Sequence, residues 1–512
     1  MSGQIIPSRS DLVPTRLAAD RLGVPAVVFF VMSAATPLTV VAGVVTTGYA
    51  TTGLIGIPLA FVAVGVLLAV FAVGYVAMAR RMANAGAFYS YIAQGIGRPP
   101  GVGAAWVALV AYNLLQVGLY GAIGAAAGPL VESWLGVSLY WWVIALAGWA
   151  VTAMLGVLRV DVNGRVLAVL LLAEVAVIVV FSVASLAHPA GGTVAVDGLE
   201  PGNLFGSGVG AVLVLALLGF IGFEAAVVFA EESKDPRRTI PTATYIAVGA
   251  TAVLYTLGAW AMAVATGPDQ IVARSQTEAT GLVFNLAGAH LGGTVVTIGQ
   301  VLFATSIVAA LISFHNTVAR YMFALGRERV LPAALGRTTM RGNAPATASL
   351  VQSGIGLVVI VVFAVGGWDP LVHLFFWAGT SGGLGVLFLI TSTAVAVIAF
   401  FARTPHGENV WRRLVAPAVA LAALVGVVVV AVANFGVLLG VPPGHPLAWA
   451  VPAAYLGVGV AGTLWGWRLR GRRPEVYAAI GWGAKAALPG AAVPAARTGA
   501  HASGVARREV RR

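Results

Sequence analysis

Cysteine is absent from the 512-residue chain, and charged side chains are scarce, at 9% of all residues. The lack of cysteine excludes disulfide scaffolds, thiol catalysis and Cys-ligated zinc. A soluble domain carries about 25% charged residues, so this chain has too few charges to cover a water-exposed surface. Hydrophobic residues make up 59% of the sequence, and the mean hydropathy is +0.93. These values exclude an ordinary soluble enzyme and indicate an integral membrane protein.

The apolar residues form long blocks, most of about 20 residues or more, which is the length of helix that spans the hydrocarbon core of a bilayer. Barrel strands would need only about ten alternating residues each. The sequence therefore predicts an all-α integral membrane protein with twelve transmembrane helices. The twelve blocks lie at residues 24–49, 54–78, 101–128, 139–158, 166–186, 209–229, 243–266, 293–322, 346–365, 371–401, 414–434 and 448–467.

Basic residues fall almost entirely on one side of the predicted membrane. The N-terminal segment, the even-numbered connections with their adjoining helix ends, and the C-terminal tail hold every one of the 30 Lys and Arg residues except Arg274. Connections rich in Lys and Arg stay in the cytoplasm, so we expect a multi-pass protein of the cytoplasmic membrane with both termini in the cytoplasm. The net charge of +12 is accordingly interpreted as a topology signal and not as nucleic-acid binding.

The chain is expected to divide into three parts. Residues 1–23 lack the apolar core of a signal peptide and are predicted to form a cytoplasmic segment. Residues 24–467 form the helical domain, whose connections are too short to hold a globular domain. Residues 468–512 form a basic tail, predicted to be disordered because its Ala/Gly/Pro-rich stretch has no clear periodicity. Scattered histidines and the lack of any catalytic or metal-binding motif argue against an enzyme, so we expect no catalytic residue, metal or cofactor.

Two of the predicted helices carry features that interrupt a helix at mid-depth. The first contains SAATP at residues 33–37, where the proline removes a backbone donor and clashes with the preceding turn. The sixth contains GFIGFE at residues 219–224, with two glycines and a carboxylate that costs about 3 kcal/mol or more in the bilayer centre. Interrupted segments at matching positions of inverted repeats point to a transporter site. Kinked packing helices are the alternative interpretation, since Gly and Pro are common in membrane helices.

Each break frees backbone N–H and C=O groups. The N-terminus of a half-helix suits a carboxylate, and freed carbonyls suit an ammonium group, so a zwitterion fits the pair of breaks. The candidate substrate-binding residues are those of the two breaks and two polar residues of the third helix: Ser33, Ala34, Ala35, Thr36, Phe220, Ile221, Gly222, Phe223, Asn113 and Gln116. For the two third-helix residues, hydrogen bonding between helices is an equally good interpretation.

The segment after the second break strengthens this hypothesis. It reads EESKDPRRTIP at residues 231–241, and together with GFIGFE it resembles the sixth-helix signature of the amino acid–polyamine–organocation (APC) permeases. Three shorter segments in the expected order also look like motifs of that family, namely NAGAFYSY at 84–91, ARYMFALGRE at 319–328 and GNAP at 342–345. The resemblance extends from about residue 24 to residue 470.

This resemblance implies a leucine-transporter-like fold, in which residues 24–186 and 209–401 form two inverted five-helix repeats and residues 414–467 add two helices. It also implies uptake or exchange of a small amino acid or related amine by alternating access. The family's first-helix break is usually glycine-rich, whereas this chain has alanines there, so an amine, an amide or another small solute stays open. A non-transporting membrane sensor with the same fold is the alternative function.

Two carboxylates within the predicted helices are candidates for proton coupling or gating. Glu224 adjoins the second break, and family members carry a gating carboxylate at this motif position. Glu174 lies midway along the fifth helix, near a position where some proton-coupled members carry a lysine. Since an ionised carboxylate is costly in the bilayer, reversible protonation is one function that would justify both residues. The alternative is a structural hydrogen bond to a neighbouring helix, and the coupling ion itself stays open.

Overall fold

The computed structural model describes residues 17–82, 86–158, 160–206, 208–339 and 343–483. Within these ranges, eleven helices are long and apolar enough to cross a membrane, and one further apolar helix has 16 residues. The protein is thus an all-helical membrane protein, as predicted. In chain order the helices are α1 Val24–Thr52, α2 Ile57–Ala79, α3 Arg98–Leu135, α4 Trp141–Gly156, α5 Val160–Ala187, α6 Val209–Glu232, α7 Pro236–Thr266, α8 Gly293–Arg327, α9 Ala346–Gly366, α10 Pro370–Arg403, α11 Trp411–Ala433 and α12 Leu447–Arg472.

The third helix lies at the centre of the packing. It has 38 residues and contacts α4, α8, α10 and α12. Glycines allow these close contacts, since a Cβ atom added to Gly121 would lie 2.2 Å from the carbonyl oxygen of Pro370, and one added to Gly103 would lie 2.5 Å from that of Gly459. Small residues at helix–helix contacts let backbones approach closely within a membrane. The helix also runs several residues beyond each end of the predicted block at 101–128.

The connections between helices gather at two opposite faces. On one face, Arg81 after α2 forms an ion pair with Glu408 after α10 at 3.1 Å, and Leu22 before α1 bridges to Ser233 after α6. On the other face, the N–H of Gly56 after α1 donates to the carbonyl of Asn203 before α6. The even-numbered connections after α2 and α10 therefore meet, and the connection after α6 meets the segment before α1. We call the face they form the basic face.

A short helix, Pro474–Ala479, follows α12 on the basic face. We call residues 474–483 the tail segment. Its last turn holds the buried Glu328 carboxylate, which accepts hydrogen bonds from the N–H groups of Gly481 at 2.9 Å and Gly483 at 2.7 Å and from the hydroxyl of Tyr89. Burial raises the pKa of Glu328 above its ordinary value, against the lowering effect of these bonds. The rest of the predicted tail, from residue 484, lies outside the described residues, as do residues 84, 85 and 342 of the quoted motifs.

Candidate functional site

The first candidate site element is an interruption of α1 between its first part, Val24–Ala34, and a second part that begins at Pro37. Thr36 has a φ of +44°, in the left-handed region that non-glycine residues rarely adopt. Pro37 has no N–H group, so it begins the second part without losing a hydrogen bond. The first N–H of that part therefore belongs to Leu38. The interruption lies within the segment that the sequence singled out.

A second interruption divides α6 between Val209–Gly219 and a 3-10-helical second part, Phe223–Glu232. Gly222 immediately precedes the second part and has a φ of +118°, a conformation open to glycine. A Cβ atom added to Gly222 would lie 2.7 Å from Cβ of Ala34 and 3.1 Å from the backbone nitrogen of Ala35. Only glycine satisfies both the backbone conformation and this approach. The two breaks are therefore in direct contact.

A tyrosine of α7 joins the two breaks from the side. The buried hydroxyl of Tyr255 lies 2.8 Å from the carbonyl oxygen of Ala35 and 2.9 Å from that of Gly219. Each of these carbonyls lies at the end of the first part of its helix. The helix does not continue there, so no N–H group four residues later can donate to the carbonyl. The single hydroxyl hydrogen is shared between the two acceptors. Tyr255 thus fixes the first part of α1 against the first part of α6.

Glu174 of α5 lies at the start of the second part of α1. Its Oε1 atom accepts a hydrogen bond from the N–H of Leu38 at 2.5 Å and another from the hydroxyl of Ser306 in α8 at 2.7 Å. The same Ser306 hydroxyl lies 3.4 Å from that of Thr39. The carboxylate is 1% exposed. It therefore links α1, α5 and α8 at the break and acts as the cap of a half-helix that has lost a donor to proline.

Glu224 plays the matching part at the break of α6. Its Oε2 atom accepts from the N–H of Gly222 at 2.9 Å, and its Oε1 atom accepts from the hydroxyl of Tyr112 in α3 at 2.6 Å. Its backbone carbonyl accepts from the hydroxyl of Tyr75 in α2 at 2.8 Å. Like Glu174, it is 1% exposed. At each break, a buried carboxylate thus accepts a hydrogen bond from a backbone N–H group. At the first break the donor, Leu38, belongs to the second helix part, and at the second break the donor, Gly222, directly precedes it.

Asn113 and Gln116 lie in a different polar network. The side-chain amide of Gln352 in α9 donates to Asn113 Oδ1 at 3.0 Å and to Gln116 Oε1 at 2.7 Å. The amide nitrogen of Gln116 also lies 3.4 Å from Nδ1 of His315, whose other ring nitrogen is 2.7 Å from the hydroxyl of Ser349. These bonds join α3, α8 and α9. No described hydrogen bond brings either residue to a break, and their role in substrate binding stays a prediction.

Two ion pairs attach the second part of α6 to the end of α8 at the basic face. Nε of Arg320 lies 2.6 Å from Oε2 of Glu232, and the guanidinium stands 4.8 Å from the centre of the Phe229 ring. Arg327 contacts Glu231 through both terminal nitrogens, at 2.6 and 2.7 Å. Paired, parallel N–H···O bonds of this type are both strong and geometrically specific. They close the space between the two helix ends.

Sequence reasoning did not select some residues that the structure brings to the breaks. Tyr255 is one, although a tyrosine in the middle of an apolar helix is itself a signal, because tyrosines of membrane helices concentrate at the interfaces. Tyr112 of the third helix is another. Nothing local to the sequence indicates that its hydroxyl bonds to Glu224, which lies 112 residues further along the chain.

Comparison with known proteins agrees with this architecture. The family model described as amino acid permease matches residues 22–461. This match covers most of the chain, so the protein belongs to the amino acid permease family of the APC superfamily. The resemblance inferred from the motifs is therefore confirmed.

Individual relatives are more distant. An uncharacterized transporter of Mycobacterium tuberculosis is 29% identical over 297 residues, which is 58% of each chain. The low-affinity putrescine importer PlaP of Escherichia coli is 25% identical over 322 residues, covering 59% of this chain and 67% of the relative. The branched-chain amino acid permease BcaP of Lactococcus lactis is 25% identical over 216 residues, covering 41% and 44%. The chain thus matches about three fifths of the length of the first of these relatives.

Proposed function

We propose that this protein is a secondary active transporter that moves a small amino acid or related amine across the cytoplasmic membrane by alternating access. The observation that carries the proposal is the contact between two interrupted helices, with Gly222 of one break against Ala34 and Ala35 of the other. Such a pair provides backbone groups outside the regular helical hydrogen bonds inside the membrane, without exposing them to lipid. An amino acid or amine transporter is also the function stated in the names of several relatives.

The proposal includes a repeat structure for the fold. In it, α1–α5 and α6–α10 form two five-helix halves of inverted orientation, and α11 and α12 are added. The support is positional, since α1 and α6, the first members of the two halves, are both interrupted. The substrate would lie against the residues of the breaks. The basic face would be cytoplasmic, because connections rich in Lys and Arg remain on that side.

The two buried carboxylates are the proposed proton carriers. Neither Glu174 nor Glu224 forms a salt bridge within the described residues, and the groups that donate hydrogen bonds to their side chains are neutral. An ionised carboxylate without a positive partner is expensive inside a membrane, which favours uptake of a proton or of a cationic substrate. Both residues contact the breaks, so their charge can be linked to substrate occupancy. Exchange without net proton movement is the other form of the proposed activity.

Alternating access requires the ion pairs at the basic face to separate. The Arg320–Glu232 pair connects the second part of α6 to α8, and both side chains are at most 2% exposed. In the proposed cycle, substrate release towards the cytoplasm needs this pair to open. Rigid-body movement of one helix group against another is the usual form of such a change.

The test uses purified protein reconstituted into liposomes. We expect Glu174→Gln or Glu224→Gln to lose uptake driven by a pH gradient while keeping substrate counterflow, since glutamine keeps the shape but cannot titrate. Glu200→Gln, at an exposed acidic residue on the opposite face, is the matched control and should behave as the parent. If both test variants still accumulate substrate with the pH gradient as the sole driving force, these residues do not carry the proton. Binding of a substrate with no uptake or counterflow would instead support the sensor.

A further inference from the structure

Both breaks present a protein carboxylate to the backbone donor that a substrate carboxylate would use. In interrupted-helix transporters, the positive N-terminus of a half-helix points at an anionic group of the substrate. Here the N–H of Leu38 is bonded to Glu174 at 2.5 Å, and the N–H of Gly222 is bonded to Glu224 at 2.9 Å. Pro37 removes one further donor, since proline has no N–H. A substrate carboxylate would have to displace the carboxylate of a side chain, which belongs to the protein and cannot diffuse away.

The charge of the site also disfavours a substrate carboxylate. Among the described residues, no Lys, Arg or His lies within ion-pair distance of Glu174 or Glu224. The buried guanidinium of Arg320 in α8 is occupied by Glu232. A substrate carboxylate near either break would therefore meet like charge in a medium of low dielectric constant, where repulsion is strong. If the two residues are protonated, the repulsion disappears, but the two N–H groups remain occupied.

The polar groups at the breaks that have no described partner suit a ligand that donates hydrogen bonds. The hydroxyl of Ser33, in the last turn before the first break, is buried and has no hydrogen-bond partner among the described residues. The backbone N–H of Leu38 and the hydroxyl of Ser306 both donate to Oε1 of Glu174, and no described hydrogen bond reaches Oε2. An ammonium group carries up to three N–H donors and no acceptor, so it matches oxygen acceptors and an unpaired hydroxyl. The polarity of the site is therefore complementary to a cation.

We propose that the site selects amines that lack a carboxylate, with Glu174 and Glu224 as the specificity-determining residues. This inference rests on the proposed transport function and narrows its substrate class. Amino acids are disfavoured because their carboxylate finds two of the donors of the breaks taken and two acidic side chains in their place. Specificity then comes from an element that repels the wrong ligand as well as from contacts to the right one.

The test compares ligands that differ by one carboxylate. Cadaverine and lysine, putrescine and ornithine, and isobutylamine and valine form three such pairs. Half-saturating concentrations are measured by thermal shift of the full chain in detergent and by counterflow in liposomes. For at least one pair, we expect the amine to bind about tenfold or more tightly than its amino acid, which corresponds to about 1.4 kcal/mol. Equal or tighter binding of the amino acid in every pair that binds would overturn the inference.

Variants of the two carboxylates test whether these residues cause the preference for amines. Glu224→Gln and Glu174→Gln should each reduce the preference for the amine, whereas Glu200→Gln should leave it unchanged. A preference that survives in both test variants would show that other groups exclude the carboxylate. Transport of amino acids without any amine would remove this inference and leave the proposed function intact. If neither class of ligand shifts the melting temperature or exchanges across the membrane, the proposed function fails, and the inference fails with it.

Discussion

Replacing Gly222 with alanine adds a single methyl group at the point where the two breaks touch. That methyl would lie 2.7 Å from Cβ of Ala34, and the residue would have to keep a φ of +118°. Backbone strain at such a conformation costs about 1–3 kcal/mol, and an extra carbon in a packed interior costs about 1–3 kcal/mol. The arrangement in which the breaks meet should therefore be penalised by about 2–6 kcal/mol.

The lower figure of about 2 kcal/mol already corresponds to a loss of roughly 30-fold in any affinity that depends on this arrangement. The assay is the substrate-concentration dependence of counterflow in liposomes, with thermal unfolding in detergent measured in parallel. Gly249→Ala in α7 is the matched control, because nothing lies within 4 Å of the added carbon. If Gly222→Ala transports with the same half-saturation as Gly249→Ala, then the contact between the breaks is not part of the substrate site.

Three further predictions concern other parts of the molecule. Arg320→Ala should lower the thermal stability by about 3–5 kcal/mol because it leaves Glu232 buried and unpaired, and changing both residues to Met should restore part of the loss. A single cysteine at Gly202 should react with an impermeant thiol reagent added outside intact cells, whereas one at Gly471 should not, because the basic face is expected to be cytoplasmic; the opposite labelling would refute this orientation. Glu328→Ala should free the tail segment, seen as faster hydrogen exchange there, and unchanged exchange would show that its docking does not depend on the carboxylate.

The positions of the two breaks could be predicted from the sequence because their causes are local. Pro37 and Gly222 interrupt a helix through their own covalent structure, whatever surrounds them. The all-helical class and the order of the long apolar blocks follow equally directly from composition and length, whereas eleven of the twelve predicted spans are long enough to cross a membrane within the described residues. The fourth block is shorter in the structure, at Trp141–Gly156, which is below the length that usually spans a bilayer.

The partners of the buried carboxylates could not be predicted, because they depend on contacts between distant parts of the chain. Glu174 bonds to Leu38, 136 residues away, and to Ser306, 132 residues away. A single sequence gives the polarity of each helix but not the rotation that brings two polar residues together. The same limit applies to Gln116, a candidate for substrate contact or for hydrogen bonding between helices, whose side-chain oxygen accepts a bond from Gln352. Both interpretations were open from the sequence.

The buried carboxylates of α5 and α6 fall into two groups with different physical demands. Glu231 and Glu232 each face an arginine, so the cost of burying their charge is offset within the protein. Glu174 and Glu224 receive only neutral donors, and the demand for a positive charge remains unmet. A proton and a substrate ammonium both meet that demand, and they compete when they reach the same oxygen. The unpaired carboxylates therefore unite the two proposals, since the residues that would select a cationic substrate are also those that would carry the proton.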